Sequence, residues 1–348
     1  MSKNQTVGVI GGGQLGTMLC QAAKKLKIKS VVISDDKDSP AQNFCDQFIY
    51  SSYHNQESVK KFIKLVDVVT YEFENIPFEI LKKIDGQKKV IPKPEINQIV
   101  QNRQKEKTFL NDIGIKTTEW AFIKSNKDIK KNKKLLPGLL KTNTLGYDGH
   151  GQLVLGSFED IKEDWCFKAD YILEKIVKLK QEISVIVTRF NDGKIIIYEP
   201  IENIHKDQIL RNSKIPANIS KEIFKQAQNK AKLIADKLNF VGTMCVEYFI
   251  DEKDKLLINE IAPRVHNSGH LTINAFNISQ FENHIRAVCD LKMEPIKKMF
   301  NADMNNILGP EIENYRKKKY KKNEFFFDYL KKEAKEKRKM GHLTVLRD

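Results

Sequence analysis

One hairpin in this chain cannot be drawn without setting a carboxylate against a carboxylate. Its arms, Cys245-Val246-Glu247-Tyr248-Phe249-Ile250 and Leu256-Leu257-Ile258-Asn259-Glu260-Ile261, are mainly apolar, with one acid on each, and they flank a turn over Asp251 to Lys255. A turn symmetric about 253 to 254 makes Glu247 and Glu260 cross-strand neighbours. Directly opposed residues have Cβ atoms about 4.5–5.5 Å apart, where like charges repel. Such a pair is either solvated on an edge face or bridged by positive charge. Two carboxylates that share a divalent cation with phosphate oxygens form a common magnesium–nucleotide arrangement. The ribbon therefore predicts a metal site at Glu247 and Glu260.

The chain opens as strand, glycine-rich turn and helix: Thr6 to Ile10, then Gly11-Gly12-Gly13-Gln14-Leu15-Gly16, then an amphipathic stretch from Thr17 to Leu26. Strands at Val31 to Asp35 and Val66 to Tyr71 follow, with a helix from Pro77 to Ile84. This alternation predicts a parallel sheet with helices on its faces, closing near Pro92 and Pro94. The spacing Gly11-x-Gly13-x-x-Gly16, with Asp35 near a strand end, matches a dinucleotide fingerprint. A phosphate cradle or a purely structural turn explains it equally well, because many folds reuse this turn.

A helix from Glu95 to about Ile113 opens the middle region. Short strands follow at 119–123, 138–141, 171–174, 182–187 and 195–198, the pattern of a largely antiparallel sheet. A long helix from Lys221 to Leu238 precedes the acidic hairpin, and a basic tail begins after about Leu291. Lys141 and Glu174 end strands, and the glycines of Leu145-Gly146-Tyr147-Asp148-Gly149-His150-Gly151-Gln152 suit a loop closing over phosphates. The fold class expected is mixed α/β and α+β. Its parts are a Rossmann-like parallel-sheet domain at 1–98, a larger domain at 99–290 and a small C-terminal β-rich unit at 291–348. Within the larger domain the lid spans about 115–180 and the core about 181–290.

Composition narrows the function classes. The 348 residues carry a net charge of +15, yet runs such as Lys317-Lys318-Lys319 lack the interleaved aromatics that stack bases. A solvated surface, with some charge focused on a phosphorylated substrate, is the reading carried forward; a basic nucleic-acid module is the alternative. Five scattered cysteines without a CxxC pair argue against a disulfide framework and a zinc site. The early apolar strand leaves no room for a signal peptide, and no apolar run approaches the roughly 20 residues of a membrane span. The expectation is a soluble, cytoplasmic protein without membrane or nucleic-acid partners.

Taken in order, Lys141, Gly-Tyr-Asp-Gly-x-Gly-Gln at 146–152, Glu174, Glu182, Glu247 and Asn259-Glu260 resemble the ATP-grasp superfamily. The glycine loop at 11–16, Tyr147-Asp148-Gly149, the block from Asn259 to His270 and Lys339-Met340-Gly341-His342 narrow the resemblance to N5-carboxyaminoimidazole ribonucleotide synthases. It runs from about residue 6 to residue 346, and the 259–270 block is its specific part. It implies an ATP-grasp fold with a pre-ATP-grasp domain, and a ligase consuming ATP, bicarbonate and 5-aminoimidazole ribonucleotide through carboxyphosphate.

The resemblance also implies roles. Arg103, Lys141, Gly146, Tyr147, Asp148, Gly149, His150, Gly151 and Gln152 would bind ATP, with Asn259 and Glu260. Glu174, Lys175, Ile176 and Val177 would hold adenine, Glu182 the ribose, and His205 would lie near the nucleotide. Glu247 and Glu260 would hold Mg2+, two ions in number, with Mn2+ as a substitute. Gln14, Leu15, Tyr147, Asp148, Arg264, His266 and Asn267 would line the acceptor site, with Asp148, Arg264, His266 and Asn267 catalytic. Lys331 and Arg338 would grip the ribonucleotide phosphate, and the protein would be a homodimer. His266 and His342 also read as structural histidines. Two departures stand out: His150 replaces the usual basic loop residue, and Lys335-Glu336-Lys337-Arg338-Lys339 replaces Arg-Pro-Gly-Arg-Lys. Other ATP-grasp ligases (a glycinamide ribonucleotide formate ligase, a biotin carboxylase) and a dinucleotide-dependent oxidoreductase are the competing enzymes.

Overall fold

The computed structural model describes residues 5–144, 151–160 and 169–348. Strands β1 (Thr6–Ile10), β2 (Lys29–Ser34), β3 (Gln47–Tyr50) and β4 (Val68–Tyr71) form a parallel sheet in the order β3-β2-β1-β4. Both faces are buried. Val7 and Val9 pack with Leu15, Met18 and Leu19 of the helix Gln14–Lys25, whereas Ile10 packs with Phe62 and Ile63 of the helix Gln56–Leu65. The period-2 alternation of a strand sends neighbouring side chains to opposite cores, as a parallel sheet requires.

A second sheet is antiparallel and ordered β5-β8-β6-β7, from β5 (Trp120–Ile123), β6 (Gly138–Thr142), β7 (Gln152–Leu155) and β8 (Tyr171–Lys175). It has its own small core, including Ile123, Ile129, Leu140 and Leu173. The third sheet has nine strands. They are β9 (Leu179–Arg189), β10 (Ile195–Ile197), β11 (Ile201–Lys206), β12 (Ile209–Ile215), β13 (Gly242–Asp251), β14 (Leu256–Ala262), β15 (Asn301–Leu308), β16 (Glu324–Asp328) and β17 (Lys339–Arg347). Their order is β14-β13-β9-β11-β12-β15-β17-β16, with β10 beside β9.

Two helices pack on the central sheet, and the second ties it to the first unit. Ser220 caps the helix Lys221–Lys237, whose Ile223, Ala227, Ala231 and Ile234 make an apolar stripe against the central sheet. Ser279 and Glu282 form a capping box at the helix Gln280–Val288. That helix is buried on nearly every side: Phe281, Ile285 and Val288 join the core of the first unit, while His284 bonds to β4 and β13.

Three differences from expectation have local causes. The stretch Glu95–Ile113 is two helices, Pro94–Val100 and Arg103–Asp112, because the Asn102 side chain accepts the Lys105 N–H and starts a new helix. That break sets Arg103 at the first turn of the second helix. The strands β3, β11 and β12 carry too little apolar alternation to be legible, being short or rich in polar residues. The C-terminal segment is β-rich but continues the central sheet, β15 pairing with β12, so its core is partly shared.

Candidate active site

The acidic ribbon has the expected pairing through an unexpected device. Ile250↔Leu256 and Tyr248↔Ile258 show that the turn is symmetric about residue 253, a register that would set Glu247 opposite Asn259. A bulge between Glu247 and Tyr248 shifts the ladder by one, giving Glu247↔Glu260 and Cys245↔Ala262. Asn259 is the extra residue, and it lines the same cleft as Glu260. A bulge beside a cleft re-aims side chains in this way. Without it, Glu260 would face the opposite side of the sheet.

The cleft holds about 760 Å³ and lies where the three sheets meet. From the first unit come Gln14, Leu15, Glu72 and Glu74; from the lid Lys141, Gln152 and Ile176; from the central sheet Glu182, His205, Glu247, Asn259, Glu260, Arg264, His266, Asn267 and Lys339. Arg103 completes the wall, its guanidinium 3.5 Å from Glu260. His205 Nδ1 lies 2.6 Å from Glu182, and against burial that carboxylate holds the imidazole pKa above its ordinary value. Gly146, Tyr147, Asp148, Gly149 and His150 fall outside the described residues.

Glu174 departs from its expected place. It is buried, and its carboxylate takes Lys107 at 3.2 Å, Lys141 at 3.1 Å and the Thr118 hydroxyl at 3.2 Å. Burial works against its ionisation, but the two ammonium groups hold the carboxyl down at about 2. It sets Lys141 in the cleft wall and does not line the cleft itself. Two lysines thus share one carboxylate in a buried place, where burial holds the Lys107 pKa below its ordinary value and an anionic ligand would favour the charged form of both. Lys175 pairs with Glu119 and, like Val177, is not among the lining residues.

Glu72 and Glu74 were not singled out from the sequence, yet they organise the first unit's side of the cleft. Glu72 accepts the N–H groups of Gly13 and, at 2.6 Å, Gly16. The glycine loop is thus wrapped around one of the protein's own carboxylates, in the place where a dinucleotide's phosphates would bond. The glycines are steric: a Cβ on Gly13 would sit 2.9 Å from Glu72, and one on Gly16 would sit 2.7 Å from the Gly11 carbonyl. Burial pushes the Glu72 carboxyl above its usual range, against the pull of those N–H groups. Glu74 forms a two-point pair with Arg264, through Nε and through Nη2 at 3.1 Å. The signal for both was an acid-x-acid pair, Glu72-Phe73-Glu74, just beyond a parallel strand, where ligands bind in open α/β sheets.

His266 Nε2 lies 2.9 Å from Glu247. Its Nδ1 accepts the Ser268 backbone N–H at 3.3 Å and lies 2.9 Å from the Ser268 hydroxyl. That hydroxyl is itself the end of a buried chain through Ser184, Asn203 and Ser213. Burial opposes the charge on Glu247, but the facing His266 ring holds its carboxyl down at about 2. An ionised Glu247, Glu260 and the Asn259 amide are hard oxygen donors on one wall, and they fit a divalent cation. Lys331 donates to the Lys339 carbonyl at 2.8 Å, and Arg338 donates to the Glu333 carbonyl at 3.2 Å; neither is among the lining residues. Lys339, next to Arg338 and bearing the carbonyl that Lys331 meets, is. His342 is buried against Phe327 and bonded to the Tyr329 hydroxyl at 3.0 Å, a structural histidine.

Comparison with known proteins agrees with this geometry. The ribonucleotide synthetase pre-ATP-grasp domain family matches residues 4–101, the ATP-grasp domain family residues 108–281, and the phosphoribosylaminoimidazole carboxylase C-terminal domain family residues 302–348. The N5-carboxyaminoimidazole ribonucleotide synthase of Brucella melitensis is 37% identical over 353 residues, covering 100% of this chain and 98% of that one. Its counterpart from Bacillus subtilis is 37% identical over 346 residues, covering 98% and 91%. An N5-carboxyaminoimidazole ribonucleotide synthetase solved with ADP superposes with a TM-score of 0.94 at 38% identity, covering 100% of this chain and 95% of that one. The Aspergillus clavatus enzyme, solved with ADP and 5-aminoimidazole ribonucleotide, gives 0.92 at 31%, covering 100% and 95%.

Proposed function

The chain belongs to the N5-carboxyaminoimidazole ribonucleotide synthase family of ATP-grasp ligases, and from that premise we propose how its residues divide the reaction. The reaction joins ATP, bicarbonate and 5-aminoimidazole ribonucleotide into N5-carboxyaminoimidazole ribonucleotide, ADP and phosphate, a step of purine synthesis. Bicarbonate carbon is a poor electrophile, and phosphorylation to carboxyphosphate turns one of its oxygens into a leaving group.

The observation that carries the residue assignment is the bulged ribbon, which turns Glu247, Asn259 and Glu260 onto one wall facing Lys141 and Arg103. Arg103 and Lys141 bind the ATP phosphates, the latter held by Glu174, which Lys107 also anchors. Ile176 packs on adenine, and Glu182 with His205 takes the ribose end. When bound between Glu247, Glu260 and the triphosphate, magnesium would offset charge on the transferring phosphoryl group. Arg264, fixed by Glu74, presents its guanidinium to the anionic carboxyphosphate. Asp148 orients the acceptor amine or takes its proton, and the 146–152 loop keeps water from the intermediate. His266 and Asn267, with Gln14 and Leu15, shape the acceptor pocket, and Lys339 faces the ribonucleotide phosphate, with Lys331 and Arg338 outside the lining adding to the positive field around it.

A homodimer and a cytoplasmic setting belong to the same proposal. Among the described residues, no helix is long and apolar enough to cross a membrane. The deciding experiment is phosphate release from ATP with bicarbonate, with and without 5-aminoimidazole ribonucleotide. Release that depends on the ribonucleotide supports the proposal; equal release without it removes the acceptor assignment.

A further inference from the structure

The scattered cysteines gave no zinc spacing along the sequence, but folding assembles a mixed donor set that spacing does not reveal. Cys245 and Glu247 are two apart on β13 and therefore share a face. His266 comes back to that face four residues after β14 ends. One ligand atom each from Cys245, Glu247 and His266 lies within 4.8 Å of the others, and His266 Nε2 to Glu247 is 2.9 Å. Tetrahedral zinc with sulfur, nitrogen and oxygen ligands holds its donors roughly 3.3–3.6 Å apart, from bond lengths of about 2.0–2.3 Å. Cys245 is fully buried, while Glu247 and His266 line the cleft, so an ion would enter from the cleft and meet the sulfur beneath.

We propose that Cys245, Glu247 and His266 form a site for a thiophilic divalent cation such as Zn2+, which shares Glu247 with the hard oxygen site of Glu247, Asn259 and Glu260 but adds sulfur and nitrogen donors. Magnesium has no use for a thiolate, whereas zinc binds one strongly. Binding replaces the Cys245 S–H bond with an S–Zn bond and the His266 Nε2–H bond, which faces Glu247, with an N–Zn bond, and releases both protons to buffer. Because Glu247 belongs to both sets, zinc excludes the magnesium arrangement, and the consequence is inhibition by zinc. Metal binding is read without turnover, so it stands or falls separately from the ligase assignment.

The test is titration of the full chain with Co2+ and Zn2+, in wild type, Cys245→Ala and Cys245→Ser. Wild type should take one ion per chain at this site and show a near-ultraviolet thiolate-to-cobalt charge-transfer band. Both variants should lose the band and bind zinc at least about tenfold more weakly. Both should keep magnesium-dependent ATP turnover while becoming less sensitive to zinc. Thermal unfolding checks that the variants fold, and the serine form retains the side-chain volume if alanine leaves a harmful cavity. A band that persists in a folded variant, or zinc inhibition unchanged by both substitutions, overturns the site.

Discussion

At the scale of single residues, the buried Lys107–Glu174–Lys141 triad makes the sharpest prediction. Glu174→Gln leaves two ammonium groups sharing a buried space without their counter-ion. Removing one partner of a buried pair costs about 3–5 kcal/mol. Urea denaturation should show a loss of that order, and the KM for ATP should rise because Lys141 loses its anchor. Unchanged stability would mean the triad is solvated and does not organise the cleft. Glu260→Ala should abolish turnover at ordinary magnesium while leaving the melting temperature nearly unchanged, because its side chain is 43% exposed; measurable turnover would remove the metal assignment. Arg264→Lys should lower kcat, because an ammonium cannot reproduce the two-point pair with Glu74. The pairing of Glu247 with Glu260 was legible in the sequence because the two strands and their turn are adjacent in the chain, although the bulge that turns Glu260 to that face was not. Lys107, Glu72 and Glu74 were not legible: their partners lie from 56 to 190 residues away along the chain.

At the scale of elements, the glycine loop and the bulged ribbon teach opposite lessons. The strand–turn–helix pattern was legible, but its ligand was not, because an internal carboxylate fills the helix N-terminus. Gly16→Ala drives a Cβ to within 2.7 Å of the Gly11 carbonyl, and backbone cannot yield as a side chain can. The expected loss is about 1–3 kcal/mol in denaturant unfolding. The same loop predicts that NAD, unlike ATP, leaves the melting temperature unchanged, and a shift with NAD would revive the oxidoreductase reading. In the ribbon the pairing of Glu247 with Glu260 was expected from a symmetric turn. The turn is symmetric about a different point, and the bulge at Asn259 makes up the difference. The helix expected over 95–113 failed for a comparable reason: a single Asn102 cap outweighs continuous helical propensity.

For the whole molecule, buried histidines set the acid limit. His284 bridges Thr70 and the Thr243 N–H, joining the first unit to the central sheet. Burial lowers its pKa to about 3 and that of His342 to about 3, and lowers that of His270 as well. Between those values and the ordinary 6.5, the unfolded chain binds protons that the folded chain refuses. Their contribution to stability is therefore full above pH about 6.5 and falls as pH drops, by about 1.4 kcal/mol per unit for each histidine, while Glu106, whose carboxyl burial raises to about 8, opposes part of that fall. The urea midpoint should fall steeply from pH about 6 to about 4; a flat profile would show that these rings are hydrated or paired. The sequence alone determined the class of each layer, the opposed acid pair and the family, because strand alternation, glycine turns and short motifs are local and survive in one dimension. Only the tertiary structure decided that the glycine loop closes on Glu72, that Glu174 serves lysines, that the C-terminal strands extend the central sheet, and that Cys245 meets His266. Those outcomes depend on which distant groups share a buried space, where an unpaired charge or N–H is too costly to leave, and no spacing along the chain records that.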